Sequence, residues 1–166
     1  TDSATSRKLC MWILEQMGFN PRPVDMGPDL GQMLDRCDGA LLIGDRALDE
    51  ASRHPELIRM DLGKTWLELT GYPMVFAVYA AHRDAPEHDL KEAHNLLQRQ
   101  LESYENSDAK RQAIIDSTSK RSGFSNERIT QYFEEVKLRL DSVGEEGLKH
   151  FLDQVCGVTD YQIVDI

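Results

Sequence analysis

Within the first six residues, Ser3, Thr5 and Ser6 place three hydroxyls, with Ala4 among them, at what reads as a helix start. Free backbone N–H groups and the positive end of the helix dipole converge there, so the cluster suits a carboxylate or a phosphate. The same residue types cap helix starts for structural reasons alone, and the spacing leaves both readings open. A second candidate is Ile43-Gly44-Asp45-Arg46. A buried strand ending in Gly-Asp ahead of a helix occupies the position where open α/β sheets bind ligands; alternatively Gly44 makes a turn and Asp45 caps the helix. Arg46 can pair with an anion bidentately or face water.

Other chemistries find little support in the residue pattern. His82, His88 and His94 recur every six residues, so on a helix they rotate around the axis instead of sharing a face, and HExxH, CxxC and EF-hand patterns are absent. No metal site is expected. Cys10 and Cys156 fall within apolar helix patterns and read as core, while Cys37 is less clearly placed; three well-separated cysteines suggest neither a disulfide framework nor a zinc knuckle. Neither a Walker lysine nor a GxGxxG loop is present. Trp66, Tyr72, Phe76 and Tyr79 gather near one strand-like run and read mostly as core.

The elements that must position these residues differ between the two halves of the chain. Asp2 or Ser3 caps a first helix through Leu9, Trp12, Ile13 and Met17, which Gly18 stops. Pro21 and Pro23 make 22–26 extended, and a short helix follows through Leu30, Met33 and Leu34. Residues 39–43 read as a strand buried on both faces, Asp45 opens a helix through Ala47, Leu48 and Ala51, and 57–62 reads as another strand. Residues 64–69 form one or two helical turns ended by Gly71-Tyr72-Pro73, and 74–80 is the most strand-like run in the chain. Strands separated by short helices predict an α/β lobe.

From Asp84 onward the signals are helical. Asp84 with Glu87 makes a capping box ahead of a long stripe, Leu90, Ala93, Leu97, Leu101 and Tyr104. A helix over 108–119 and a loop over 119–123 follow. Ser125 then caps a stripe of Ile129, Tyr132, Phe133, Val136 and Leu140. Ser142 with Glu145 starts the last helix, which runs through Leu148, Phe151, Leu152 and Val155 to Gly157, and 161–166 reads as a terminal strand.

The 166 residues carry 29 acidic and 19 basic side chains, for a net charge of −10. Such a surface repels polyanions, which argues against nucleic acid as a partner. The apolar runs fall far short of the ~20 residues of a membrane span. At 40% hydrophobic and 29% charged, the chain is expected to be soluble with a buried core. A reducing, cytoplasmic compartment fits the cysteines. The opening Thr1 and the absence of a basic-then-apolar leader suggest a fragment, or a chain whose start was removed.

Taken in order, Ser3-Ala4-Thr5-Ser6, the run from Asp38 through Leu-Leu-Ile-Gly-Asp-Arg-Ala to Leu48, Asp61-Leu62-Gly63-Lys64-Thr65-Trp66, and the run from Leu69 through Gly-Tyr-Pro-Met-Val-Phe-Ala to Tyr79 form a specific series. The series resembles the chorismate dehydratases of the futalosine route to menaquinone over nearly the whole chain. The resemblance implies an α/β, periplasmic-binding-protein type II-like two-lobe fold with ligand in the cleft, here an incomplete chain with a helical C-terminal half. Residues 1–76 would be the second lobe, lacking its first strand. Residues 77–166 would supply a crossing strand and the helices that complete the first lobe.

The implied reaction removes water from chorismate to give 3-[(1-carboxyvinyl)oxy]benzoate, a hydro-lyase step without a cofactor, because aromatisation drives it. The substrate-binding residues carried over are Ser3, Ala4, Thr5 and Ser6 and the strand end Gly44-Asp45. The Asn and Ser associated with catalysis in the family lie in an N-terminal segment that nothing in this chain matches, so its catalytic residues stay unknown. A non-catalytic solute-binding protein of the same fold, for a small carboxylate, is the alternative, and it would carry a secretion signal or lipoprotein cysteine upstream. An interaction module built on the helix over 125–140 is a third reading.

Overall fold

A computed structural model describes residues 3–164 as helices joined by irregular segments. The α-helices are α1 (Ala4–Gln16), α2 (Leu30–Leu34), α3 (Gly44–Arg53), α4 (Leu62–Thr70), α5 (Glu87–Glu105), α6 (Asp108–Ser122), α7 (Asn126–Glu135) and α8 (Ser142–Phe151). A 3-10 turn (Pro55–Leu57) precedes α4, and a π turn (Leu152–Cys156) prolongs α8. The expected α/β, periplasmic-binding-protein type II-like fold is therefore corrected: the described residues hold no strand and no sheet.

The runs 39–43, 57–62 and 74–80 illustrate why. Their backbone can be extended, as at Ile43 (φ −141°, ψ 164°) and Ile58 (φ −66°, ψ 124°). A strand also needs a neighbour to receive its N–H and C=O groups, and no ladder forms here. Of the expected terminal strand, 161–164 is irregular; Asp165 and Ile166, like the alternative cap Asp2, lie outside the described residues.

The chain divides into two compact units. The first joins the segment up to Phe76 with Asp141–Tyr161, and the second holds Ala77–Leu140 with the chain from Gln162. In the first, α1 packs on α4 and on the π turn. Leu9 and Ile13 of α1, Trp66 of α4 and Phe151 of α8 form the core, flanked by Trp12, Met60, Leu62 and Met74. Trp66 is its centre, with ring centroids 5.4 Å from Trp12, 5.6 Å from His150 and 5.8 Å, edge to face, from Phe151. The Tyr72 ring meets the same His150 at 5.5 Å, tilted by 41°. Burying each such side chain contributes about 1.5–3 kcal/mol.

Local signals explain the helix ends. Asp29, Asp61 and Asp141 accept from the backbone N–H of Gln32, Lys64 and Gly144 at 2.9, 2.8 and 2.7 Å. Asp141 thus replaces the expected Ser142 cap. Lys8 Nζ donates to the Cys156 carbonyl at 3.2 Å and ties α1 to the π turn. Cys10 is half-buried and lies outside the core cluster, against which Cys156 packs; partial burial pushes the Cys10 thiol up from its ordinary value.

In the second unit α6 packs on both α5 and α7, with Ile115 and Ile129 buried. Tyr104 and Phe133 meet at 5.8 Å, and the Arg111 guanidinium lies 5.5 Å above the Tyr104 ring. The Ser125 cap forms as expected, but α7 ends at Glu135, short of Leu140. Arg139 grips Glu105 through Nε to Oε1 at 2.9 Å and Nη2 to Oε2 at 2.7 Å, while Nη1 donates to Gln98 Oε1 at 2.9 Å.

The hydrogen bond from Arg139, more than its charge, holds the Glu105 carboxyl below the usual glutamate range. A carboxyl lowered in the folded state contributes stability above its unfolded value and loses it as pH falls through the folded one. The grip should therefore persist at neutral pH and weaken only as pH falls below the ordinary glutamate range. Arg139→Ala should return the Glu105 midpoint to the ordinary range in an NMR titration. A midpoint that the substitution leaves in place would contradict this.

Candidate functional site

The hydroxyl cluster at the start of α1 forms as the sequence suggests. Ser3 has the extended backbone of an N-cap (φ −79°, ψ 108°), and its Oγ accepts from the Ser6 N–H at 3.2 Å. The same Oγ donates to Ser6 Oγ at 2.9 Å and lies 3.1 Å from Thr5 Oγ1. Three hydroxyls are thus drawn together, with Ala4 and Thr5 exposed and Ser3 and Ser6 half-buried. Helix geometry leaves the N–H groups of Ala4 and Thr5 without an intrahelical acceptor. The first turn of α1 has no acidic residue, so no carboxylate within that turn repels an incoming anion.

Arg7 adds a cation at the end of that turn, with Nη1 3.0 Å from Asp25 Oδ1. Asp25 lies 18 residues away in the proline-containing segment, and local spacing gave no sign of the pair. Chemically the arrangement can hold and orient an anion. The hydroxyls themselves do not ionise near neutral pH, so their chemistry is to hold a ligand and not to accept its proton.

The second candidate takes another form. Gly44 opens α3 with φ +62°, a conformation that favours glycine, and Ile43 occupies the cap position without a side-chain bond. Asp45 is not the cap; it lies in the first helical turn, exposed, where a negative charge complements the dipole. Arg46 Nη1 donates to the Pro28 carbonyl at 3.1 Å. Helix packing does not unite the two candidates, since α1 packs on α4 and the π turn whereas α3 packs on the 3-10 turn.

The remaining sequence candidates scatter. His82 sits beside Asp84, with Nδ1 3.4 Å from its Oδ2, and both are exposed. Among the described residues no three His, Cys, Asp or Glu side chains gather as a metal site would need. The cysteines are free. Trp66 is core and Tyr72 half-buried, but Phe76 and Tyr79 are 76% and 86% exposed. A shallow surface trough along α5, lined by His88, Lys91, Glu92, Asn95, Leu96 and Arg99, holds none of the carried-over residues. Among the described residues no helix is long and apolar enough to cross a membrane.

Comparison with known proteins adds an independent line. The family model described as menaquinone biosynthesis matches residues 1–155. A chorismate dehydratase from Thermus thermophilus is 27% identical over 168 aligned residues, which cover 92% of this chain and 60% of that protein. The chain thus spans about three fifths of the curated relative's length. No solved structure matches the chain significantly.

Proposed function

The chain belongs to the menaquinone-biosynthesis family, and from that premise we propose that the protein carrying it is a hydro-lyase that dehydrates chorismate to 3-[(1-carboxyvinyl)oxy]benzoate. The observation that carries this reading is the alignment of 92% of the chain with a chorismate dehydratase. The chemistry suits a protein that binds and orients. Loss of a ring hydroxyl and a ring hydrogen as water creates an aromatic ring, so the driving force resides in the substrate and no redox or metal cofactor is required. The protein must hold two carboxylates, assist the departing hydroxyl, accept a proton and keep the molecule from its pericyclic rearrangement.

A chain of charge −10 gives a dianion no long-range attraction, so capture rests on a few placed donors. In this reading Ser3, Thr5 and Ser6, with the N–H groups of Ala4 and Thr5, hold one carboxylate of chorismate. The exposed start of α3 offers a second contact: the Gly44 N–H can donate, and the Asp45 carboxylate suits a substrate hydroxyl because it would repel a carboxylate. Proton transfer falls to groups elsewhere in the protein. The three free cysteines suit a cytoplasmic setting.

Equilibrium titration with chorismate tests the assignment. Thr5→Ala with Ser6→Ala should weaken binding about a hundredfold or more, since each hydrogen bond to a charged group contributes about 1.5–3 kcal/mol. Because Ser3 still caps α1, thermal stability should change little. Unaltered affinity would remove the hydroxyl cluster from the site, and a protein that does not bind chorismate would remove the function.

A further inference from the structure

Arg7 departs from what its position favours. It stands at the end of the first turn of α1, where the positive end of the helix dipole opposes a cation. Departures from a local rule are expected at functional sites, and the neighbours here are the three hydroxyls. The Arg7 N–H donates to the Ser3 carbonyl at 3.2 Å, so the two residues lie one turn apart on the same face. Helical side chains lean towards the N-terminus, which carries the Arg7 guanidinium towards the hydroxyls. It already holds a carboxylate, with Nη1 3.0 Å from Asp25 Oδ1. We propose that Arg7 binds the second carboxylate of the substrate by exchanging Asp25 for it, an inference that rests on the chorismate reading above.

The pair has the properties an exchange needs. The Asp25 side chain is 86% exposed and that of Arg7 48%, so solvent screens their attraction and the contact is weakly held. One oxygen meets one nitrogen, whereas a guanidinium can offer two parallel N–H groups to a ligand carboxylate, the stronger and more directional arrangement. Asp25 comes from the irregular segment between α1 and α2, so it can withdraw without unwinding a helix. The substrate supplies the demand. A dianion leaves one carboxylate over once the hydroxyls hold the other, and a chain of charge −10 must provide the opposite charge locally. With both carboxylates fixed, the enolpyruvyl arm cannot fold across the ring as the pericyclic rearrangement requires. Asp25 thus stands in for the ligand and keeps the guanidinium placed until substrate arrives.

Chorismate affinity in the protein that carries this chain, measured by equilibrium titration, tests the exchange. Arg7→Ala should weaken binding at least about tenfold, as loss of a hydrogen-bonded charge partner does. Lys64→Ala removes an equal charge from an exposed site on α4 and should change affinity less than about twofold. Asp25→Asn should tighten binding about twofold to fivefold, because it frees the guanidinium. The same Asp25→Asn change made in the Arg7→Ala protein should have no effect. A merely structural ion pair predicts the opposite sign for Asp25→Asn, since either substitution would then break one support. Unchanged affinity in Arg7→Ala, weakening by Asp25→Asn, or tightening that persists without Arg7 each overturns the proposal. Those failures leave the chorismate reading standing where Thr5→Ala with Ser6→Ala still weakens binding, whereas a parent protein that does not bind chorismate overturns both.

Discussion

Trp66→Ala should destabilise the unit of α1, α4 and α8 by about 3–5 kcal/mol, the cost of deleting a fully buried indole. Trp66 is entirely inaccessible and touches side chains from three segments, so its loss leaves Leu9, Ile13 and Phe151 around a cavity. Against a total of about 5–15 kcal/mol for an ordinary domain, that is about a fifth of the stability or more. Urea unfolding followed by circular dichroism measures it. Trp66→Phe provides the sharper comparison. It keeps an aromatic ring beside Trp12 and Phe151, and it removes the indole Nε1–H, a buried donor without a hydrogen-bond partner. An unmet buried donor costs about 1–3 kcal/mol, so Trp66→Phe should lose less than half of what Trp66→Ala loses. A Trp66→Ala protein within about 1 kcal/mol of the parent would show that this indole does not centre the core.

Gly147→Ala should be destabilising where helix propensity alone predicts a gain. In an open helix this change stabilises by about 0.5–1 kcal/mol. Here a Cβ on Gly147 would lie 2.6 Å from the Pro73 carbonyl oxygen and 3.2 Å from Tyr72 Cβ. The oxygen is backbone and cannot swing aside, so α8 must retreat and draw His150 and Phe151 away from Trp66. Overpacking of this kind costs about 1–3 kcal/mol. Gly31→Ala in α2 supplies the contrast, because its Cβ would meet only Asp29 Oδ1, at an ordinary 3.5 Å. Combining Gly147→Ala with Trp66→Ala should cost less than the two separately, since both loosen one contact. Stabilisation by Gly147→Ala would contradict the close approach of α8 to the 72–73 backbone.

The helices were legible because their signals are local. Apolar spacing located α1, α5 and α7, the Ser3 and Ser125 caps formed as their positions implied, and Gly123 stops α6, with φ +82°, where a loop was expected to begin earlier. Two expected capping boxes gave way to neighbours: Pro86 begins α5 without a side-chain bond, and Asp141 accepts the N–H at the start of α8. The strands were misread for a different reason. A run such as 39–43 or 74–80 reports a preference for extended backbone, whereas a strand also requires a partner at long sequence distance, which no local pattern encodes.

The same division runs through the candidate site. The hydroxyls of Ser3, Thr5 and Ser6 were legible as a helix start, while the links from Arg7 to Asp25 and from Arg46 to Pro28 each span 18 residues and were not. Asp45 marks the expected helix start but not the expected cap, since it lies inside the first turn of α3 while Ile43 takes the cap position.

Turnover of chorismate by the purified protein that carries this chain tests the central claim most directly. Chorismate should disappear faster than in a heat-denatured control, and 3-[(1-carboxyvinyl)oxy]benzoate should accumulate in equal amount, identified by mass and by the absorbance of its aromatic ring. Chorismate that is bound and released unchanged, or that yields only its spontaneous rearrangement product at the control rate, would contradict the account.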